Sequence, residues 1–246
     1  MISKSRIKHI RSLQLKKFRD EHNEFIVEGE KMVLEALGLP AGIIDSIYHT
    51  AAFPIPAEAA ATHPFSEVTE AELKQISALQ TPNKALAVLK KPELTTKQEK
   101  FYLALDGVQD PGNMGTLMRL ADWFGIPEIL CSQTTVDCYN PKVVQATMGA
   151  LYRVQVRYVD LKSHLEQLGL PVYGALLSGE NVYGQPLKAE GVLVLGNEGF
   201  GISAEIQEII DRPVHIPRLG GAESLNVSTA GAILLAEFFR DALRQS

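Results

Sequence analysis

The sequence has little cysteine: Cys131 and Cys138 are the only two among 246 residues. So few thiols, without a Cys/His cluster at zinc-ligand spacing, argue against a disulfide framework and against a structural metal. No apolar run approaches the ~20 residues of a membrane-spanning helix. The N-terminal segment MISKSRIKHIRSLQLKKF also lacks the continuous apolar core of a secretory signal. We therefore expect a reduced, cytoplasmic protein without a bound metal.

The chain has six histidines, and their positions are scattered. None of the histidines lies near a nucleophile or a second ligand at metal-binding spacing, so we expect ordinary core or surface roles for His9, His22, His49, His63, His164 and His215. The remaining composition, with 46% hydrophobic and 22% charged residues, is that of a globular protein. A length of 246 residues accommodates one or two domains, each able to bury its own core.

Positive charge is outnumbered overall but concentrated at one end. The formal net charge of −5 argues mildly against a nucleic-acid partner for the chain as a whole. Residues 1–19 nevertheless carry no acidic side chain and hold the basic residues Lys4, Arg6, Lys8, Arg11, Lys16, Lys17 and Arg19. A basic, helix-patterned segment could displace counterions from RNA phosphates. The alternative is a solvated helix face, which is what most charge runs are.

Residues 91–99 predict a linker, because they are polar, include a proline and show no apolar period. Before them, helical and strand-like runs alternate: a basic helix over about 4–19, the strand FIVEG, the helix EKMVLEAL, the strand IIDSIYH, a short helix opening with the capping-box pattern Thr69-Glu70-Ala71-Glu72, and the strand ALAVLK. We expect a small α/β domain over residues 1–92 and a second domain over residues 100–246.

Regular alternation of strands and helices after the linker predicts a mostly parallel sheet covered by helices on both faces. The expected elements are residues 101–106, 113–124, 127–131, 141–148, 154–157, 161–168, 172–176, 191–195, 203–210, 213–216 and 224–242. The pattern alone suggests a Rossmann-like fold. The run GNEGFG at residues 196–201 resembles a dinucleotide-binding loop, but its glycine order differs from G-x-G-x-x-G and it comes late in the domain.

Three segments of this second half combine glycines with polar side chains. The first, DGVQDPGNMGTLMR (residues 106–119), places Asn113 in a strand-to-helix loop and Arg119 one turn into the helix, facing the ligand space of that loop. The second, LGNEGFG (195–201), follows a buried-type strand, and Ser203 is placed to cap the next helix. The third, AESLNVSTA (222–230), opens an apolar helix. Such a polar helix start suits a bound ligand, or is only a well-capped helix.

Together these segments resemble the signature motifs of the SpoU/TrmH class of RNA ribose 2′-O-methyltransferases: N-x-G-x-x-x-R, L-G-N-E-G-x-G and I-P-x-x-G-x-x-x-S-L-N-V-S. The third reads IPRLGGAESLNVS at residues 216–228, and NPKVVQATMGA (140–150) is similar to the linking segment of the family. The resemblance covers residues 101–243. It implies an α/β SPOUT fold, with a parallel sheet flanked by helices and a C-terminal trefoil knot that periodicity cannot reveal.

Residues 1–92 resemble, on a looser pattern, the ribosomal-protein-like RNA-binding domain that precedes the methyltransferase domain in many family members. The similarity rests on FIVEGE at residues 25–30 and on the closing LAV at 86–88. Relatives often have a glycine before that last strand, where this chain has Asn83-Lys84. The role of that loop is therefore open.

The resemblance implies S-adenosyl-L-methionine (AdoMet) as the cofactor, bound largely through main chain. The implied cofactor contacts are Leu195, Gly196, Ile216, Ser224 and Leu225. Backbone donors and acceptors beside aliphatic side chains suit an adenine ring. Methyl transfer requires the donor in line with an oxygen nucleophile, so positioning is expected to supply most of the catalysis.

The resemblance also places Arg119 at the target ribose, with Asn113 and Glu198 orienting it and with Ser224 and Asn226 shaping the adjoining loop. The family arginine is often drawn as the base for the 2′-hydroxyl. A guanidinium holds its proton under nearly all conditions and is a poor base. We therefore expect Arg119 to grip an RNA phosphate and stabilise developing alkoxide charge. For Glu198, capping of the following helix is the alternative.

The implied function is AdoMet-dependent methylation of a ribose 2′-hydroxyl in structured RNA, with ribosomal RNA favoured by the separate N-terminal domain. A tRNA methyltransferase, a non-catalytic RNA-binding assembly factor and, more distantly, a dehydrogenase are the alternatives. Expected RNA contacts are Arg6, Lys8, Arg11, Lys16, Lys17, Arg19 and Lys142, the last equally compatible with a solvent-facing role.

The resemblance further implies a homodimer formed through the second domain. Leu235, Phe239 and Leu243 recur one helical turn apart on the last helix and could form the contact face, or be buried within one subunit. Trp123, at helical spacing beside Phe124, is expected to pack rather than to stack on a base.

Overall fold

A computed structural model describes residues 1–95 and 97–244 of the chain. Thr96, in the expected linker, and residues 245–246, at the end of the expected second domain, lie outside the described residues. The chain forms two compact units: the first is Met1–Glu93 with Asp137–Tyr152, and the second is Leu94–Val136 with Arg153–Ser246. No helix among the described residues is long and apolar enough to cross a membrane.

The elements are numbered in chain order. The α-helices are α1 (Lys4–Ser12), α2 (Lys16–His22), α3 (Glu30–Ala36), α4 (Ala57–Ala60), α5 (Glu70–Ile76), α6 (Pro111–Trp123), α7 (Pro141–Thr147), α8 (Leu161–Leu168), α9 (Ala204–Gln207), α10 (Val227–Phe238) and α11 (Arg240–Leu243). The strands are β1 (Glu24–Glu28), β2 (Ile44–His49), β3 (Phe65–Glu67), β4 (Ala85–Lys90), β5 (Phe101–Asp106), β6 (Glu128–Ser132), β7 (Gln155–Val159), β8 (Val172–Asn181), β9 (Gly191–Gly196) and β10 (Arg212–His215).

The first unit is built on a four-stranded sheet in the order β1-β4-β2-β3. Strand β4 is antiparallel to both β1 and β2, and β3 runs parallel to β2. Its core includes the fully buried Ile10, Leu13 and Ile76. The capping box predicted at the start of α5 is confirmed: the Thr69 hydroxyl accepts from the Glu72 backbone N–H at 3.2 Å, and the Glu72 carboxylate accepts from the Thr69 N–H at 3.0 Å.

The prediction of one basic helix over residues 4–19 is wrong, because the segment forms α1 and α2 with a turn between them. Leu13 is the C-cap residue of α1 and is fully buried in the core. Leu15 then adopts an extended backbone (φ −101°, ψ 133°) immediately before α2. Anchoring one apolar side chain in the core thus turns the chain, which basic periodicity cannot reveal.

Residues 137–152 belong to the first unit although they follow β6 of the second unit in the chain. Their helix α7 is tied to β1, since the Gln145 side-chain amide donates to the Glu28 backbone carbonyl at 2.8 Å. The Tyr139 ring packs on Phe25 with centroids 4.6 Å apart. These contacts make the segment part of the core of the first unit.

The second unit contains a six-stranded sheet in the order β10-β8-β9-β5-β6-β7, with every neighbouring pair parallel. This confirms the predicted parallel α/β class. Strand β5 is central: β6 and β7 lie on one side, and β9, β8 and β10 lie on the other. The strands of this sheet are nearly continuous apolar runs, such as β9 (Gly191–Gly196), as expected for a sheet covered by helices on both faces.

Several predicted boundaries in this unit are corrected. Helix α6 begins at Pro111 rather than at residue 113, because Asp110 is its N-cap and accepts from the Asn113 backbone N–H at 2.8 Å. Asn113 is therefore in the first turn of α6, not in the preceding loop, and Arg119 lies about two turns in. The helix expected over 224–242 is instead α10 followed by the separate α11, with Phe239 between them.

The expectation that Trp123 packs in a core is wrong, because its side chain is 81% exposed. Its neighbour Phe124 does pack, with its ring centroid 5.4 Å from that of Phe239. Leu235 is fully buried and Leu243 is 49% exposed. The apolar stripe of the last helices is thus mostly covered within one subunit, the second of the two alternatives left open by the sequence.

Candidate active site

The carboxyl ends of β5 and β9 lie side by side, with Asp106 opposite Gly196 in the register. The chain leaves β5 toward β6 on one side, and β9 stands on the other side, so this is the switch point of the sheet. Open parallel α/β sheets bind ligands in the crevice at such a point, because the two following loops diverge there. The fold therefore places the first two glycine-rich segments at the position where sheets of this kind bind ligands.

The two loops are joined by Asn197. Its side-chain amide donates to the Gly107 carbonyl at 2.7 Å, and its Oδ1 accepts from the backbone N–H groups of Gly199 and Phe200 at 2.8 and 3.1 Å. The backbones of Asn197 and Gly201 exchange two hydrogen bonds, each of 2.9 Å. The turn over residues 197–201 is consequently closed on itself and fixed to the β5 loop.

Gly196 is required by the close approach of this turn. A Cβ atom at Gly196 would lie 2.2 Å from both the Gly201 carbonyl carbon and the Ile202 nitrogen. Those atoms are backbone and cannot rotate away. The glycine at the end of β9 therefore allows the chain to fold back over itself, as glycines do wherever backbone must approach closely.

A polar network connects all three sequence motifs. The Asn113 side-chain amide donates to Glu198 Oε1 at 3.0 Å, and Asn113 Oδ1 accepts from Asn226 Nδ2 at 2.9 Å. Asn226 also caps α10, since its Oδ1 accepts from the backbone N–H groups of Ser228 and Thr229 at 3.0 and 3.3 Å. Residues 113, 198 and 226, which are far apart in the chain, thus meet in one hydrogen-bonded group.

Glu198 serves the start of α6. Its two carboxylate oxygens accept from the backbone N–H groups of Asp110 and Gln109 at 3.1 and 3.2 Å, besides the Asn113 amide. Desolvation opposes the charge, but these hydrogen bonds outweigh it and hold the pKa of Glu198 below its ordinary value. The alternative in which Glu198 caps the helix that follows it, α9, is wrong, because these partners lie just before α6 and in its first turn.

The other predicted site residues lie on the same elements or on the segments next to them, outside the hydrogen bonds of the network described above. Arg119 is exposed on α6. Leu195 is buried at the end of β9, and Gly196 and Ile216 are half-buried. Ser224 and Leu225 are exposed in the segment that leads from β10 to α10. Leu195 and Gly196 end β9, and Ile216 follows β10, so these three residues lie at the carboxyl edge of the sheet.

The predicted RNA contacts in the first unit divide into two groups. Lys8, Arg11, Lys16 and Lys17 are not buried, whereas the Arg19 side chain is 2% exposed and pairs with Asp137 at 2.6 Å. The Arg6 guanidinium is held by Asp45, Ser46 and the Tyr48 hydroxyl. Lys142 is exposed at the start of α7. Arg6 and Arg19 are thus committed to contacts inside the unit.

Three residues of the site were missed from the sequence. Asp110 caps α6, Asn197 joins the two loops, and the Ser228 hydroxyl donates to Asn226 Oδ1 at 2.6 Å. An Asp-Pro pair is a recognisable helix start, because proline is favoured at the first helical position. That signal was available, whereas the bonds of Asn197 depend on two strands becoming neighbours.

Among the described residues, no group of three or more metal-ligating side chains is positioned to hold an ion.

The sheet, its switch point and three polar turns bound into one network define a cofactor-binding parallel α/β protein. The SpoU rRNA Methylase family model matches residues 100–236, and the MRM3-like substrate binding domain matches residues 4–87. The chain therefore belongs to the SpoU family, the SpoU/TrmH-type RNA 2′-O-methyltransferases, and has the fold of that family.

Individual relatives agree with this family assignment. The chain is 33% identical over 234 residues to the 23S rRNA (guanosine(2553)-2′-O)-methyltransferase RlmP of Bacillus subtilis, covering 94% of each protein. It is 40% identical to a TrmH-family protein from Porphyromonas gingivalis, with a TM-score of 0.86 over 98% of this chain and 99% of that one. An AdoMet-bound rRNA methyltransferase from Sinorhizobium meliloti matches at 28% identity and a TM-score of 0.85, over 98% and 96%.

Replacing Glu198 with glutamine is expected to lower methyl transfer about 10-fold, since one charged hydrogen-bond acceptor at the start of α6 is lost. The folded-state pKa of Glu198 is depressed, so its stabilisation is present above about pH 4.5 and is lost as pH falls through the depressed value. Thermal unfolding of both proteins between pH 3 and pH 7, together with methyl-transfer rates, measures this.

The matched control is Glu208→Gln. Glu208 is a second carboxylate of the same unit whose pKa is lowered, in this case by its hydrogen bond from Lys162. This variant should keep the wild-type methylation rate. Equal rates in the two variants would show that Glu198 supports only the local fold.

Proposed function

We propose that this chain transfers a methyl group from AdoMet to a ribose 2′-hydroxyl of ribosomal RNA. The observation that carries the proposal is the Asn113–Glu198–Asn226 network, which brings the three family motifs to one edge of the sheet. The substrate class is supported by the names of the relatives and by the match of residues 4–87 to a substrate-binding domain.

The residues at this edge fit AdoMet. Leu195, Gly196, Ile216, Ser224 and Leu225 would hold it. Leu195 is buried and the other four are half-buried or exposed, and the set offers backbone groups and aliphatic side chains rather than a charged cluster. That set suits the hydrogen-bonding edge of adenine and its apolar faces. When bound, AdoMet supplies the electrophilic methyl group. The protein contributes the relative placement of the two reactants.

Arg119 is assigned to the acceptor side of the reaction. It lies on the same helix as Asn113, and its guanidinium is exposed. A fixed positive charge there stabilises the negative charge that develops on the 2′-oxygen and grips the adjacent phosphate. Asn113 and Glu198 position the helix start, while Ser224 and Asn226 shape the adjoining loop.

RNA binding by the first unit is assigned to the basic side chains of α1 and α2 that remain accessible. These are Lys8, Arg11, Lys16 and Lys17, with Lys142 of α7 in the same unit. Each phosphate contact would release counterions and weaken with added salt. Arg6 and Arg19 support this surface through their internal ion pairs.

We further propose a homodimer through the second domain, a trefoil knot at its C-terminal end and a cytoplasmic location. The exposed Trp123 and Leu243 adjoin the Phe124–Phe239 contact in sequence and offer apolar area for a subunit contact. The low cysteine content, two residues among 246, suits a reducing compartment. Light scattering after gel filtration, with Trp123→Arg as the disrupting variant, tests the dimer.

The proposed function is tested by mapping 2′-O-methylated nucleotides in RNA from cells that lack the gene, followed by restoration with the purified chain and AdoMet. One ribosomal RNA ribose should lose its methyl group and regain it in vitro. Loss confined to tRNA would favour the alternative tRNA substrate. A defect in ribosome assembly without any missing methyl group would favour the non-catalytic factor.

Gly196→Ala is expected to reduce AdoMet affinity at least about 10-fold and to destabilise the second unit by about 1–3 kcal/mol, because the new Cβ forces backbone apart. Titration calorimetry and thermal unfolding measure the two effects. Gly199→Ala is the control: its Cβ would meet only the Asn197 side chain, at 3.5 Å. Wild-type AdoMet affinity in Gly196→Ala would refute the close-approach argument.

A further inference from the structure

Phe200 is an aromatic side chain that the site described above does not use. It is 95% exposed, although it lies two residues from Glu198 and within the turn that Asn197 closes. Full exposure of a phenylalanine forgoes the hydrophobic free energy that burial of its ring would provide. A ring presented this way at the edge of a site calls for a functional explanation.

The turn holds Phe200 in a defined place. The Phe200 backbone N–H donates to Asn197 Oδ1 at 3.1 Å, and the paired backbones of Asn197 and Gly201 close the turn on both sides. Gly201 has φ +73°, a conformation that favours glycine and lets the turn close so tightly. The backbone bearing the ring is therefore ordered before any ligand arrives, which lowers the entropy cost of binding.

The surroundings indicate what the ring contacts. A side chain lining a concave cofactor pocket is partly covered by the other walls of that pocket, whereas Phe200 is almost uncovered. A protein–protein contact usually requires a contiguous apolar patch. The residues beside Phe200 on the turn are Glu198, Gly199 and Gly201, which provide none. A single ring on a polar turn suits a partner with flat faces.

We propose that Phe200 stacks on an unpaired base of the RNA substrate, next to the ribose that is methylated. This rests on the proposed function. Unstacked bases of RNA loops commonly pack on exposed aromatic rings, and the contact is tolerant of sequence because every base has a π face. Phe200 thus adds an uncharged contact to the nucleotide, besides the phosphate contact proposed for Arg119.

Substitutions of Phe200 distinguish the effect of its aromatic ring from the effect of its apolar surface area. Phe200→Leu keeps a large apolar side chain without a π face, and Phe200→Tyr keeps the ring. Stacking is worth about 1–3 kcal/mol per base, so KM for RNA should rise about 5- to 100-fold in Phe200→Leu and stay near wild type in Phe200→Tyr. The AdoMet dissociation constant should be unchanged in both. Tyr183→Leu, which removes a half-exposed ring elsewhere in the same unit, is the control.

The direct readout is the fluorescence of 2-aminopurine placed beside the methylated nucleotide in a hairpin RNA carrying the mapped site. Wild type and Phe200→Tyr should quench it through stacking, and Phe200→Leu should not. An unchanged RNA KM in Phe200→Leu, a loss of AdoMet affinity or a loss of the dimer would each overturn the proposal. If wild type methylates the RNA and Phe200→Leu does so with the same kinetics, only this inference is refuted. If wild type does not methylate the RNA, the proposed function is refuted as well.

Discussion

Replacing Arg119 with alanine is expected to lower kcat/KM for RNA methylation about 10²–10³-fold, the usual cost of removing one donor to a developing oxyanion. AdoMet affinity should not change, because the implied cofactor contacts lie on other segments of the chain than α6. Single-turnover methylation and titration calorimetry measure the two quantities. The control is Arg153→Ala. Arg153 pairs at 2.8 Å with Asp122, which lies on α6 as Arg119 does, and the loss of this pair should leave the rate near wild type.

Arg119→Lys distinguishes the two roles of this residue. Lysine keeps a positive charge but loses the planar fork that binds phosphate in bidentate fashion. If Arg119 acts electrostatically, the lysine variant should show a reduced rate and an unchanged pH profile. If it acts as the base, lysine, with its lower pKa, should retain a near-full rate with a shifted pH optimum. That second outcome would contradict the electrostatic role.

Arg19→Met is expected to destabilise the first unit by about 3–5 kcal/mol, because it leaves the Asp137 carboxylate buried without its partner. The two side chains are 2% and 9% exposed and lie 2.6 Å apart. Arg19 also donates to the Leu13 carbonyl at 2.9 Å, where the chain turns between α1 and α2. This one pair therefore holds residues 137–152 and the turn of the basic segment together.

The double variant Arg19→Met/Asp137→Leu should recover most of that loss, since two apolar side chains replace a buried pair without leaving a charge. Denaturant unfolding gives the free energies of unfolding of both variants. Hydrogen exchange of the single variant Arg19→Met should show lost protection in β1 and α7 but not in β5 or β9. Lys84→Ala removes the exposed pair with Glu30 and should cost only about 0.2–1 kcal/mol. A similarly small effect of Arg19→Met would refute the structural role of the buried pair.

Much of the second unit could be predicted from the sequence. Apolar runs such as FYLAL and VLVLG are long enough and apolar enough to define buried strands, and their alternation with helices defines a parallel sheet. The motifs around Asn113, Glu198 and Asn226 indicated the family, because family resemblance is carried by short local patterns, and these three residues meet in the structure. Helix boundaries were less accurate, since Asp110 and Phe239 act through caps and turns.

Other features were decided by tertiary structure. The sequence alone determined the class of the sheet, the position of its polar turns and the basic character of the N-terminus, because each is a local pattern of residue types. Only the folded chain decided that Glu198 accepts hydrogen bonds from the start of α6, that Arg19 is buried and paired with Asp137, and that Trp123 faces solvent. The physical reason is that burial and pairing are set by which distant segments become neighbours, and no local pattern specifies that.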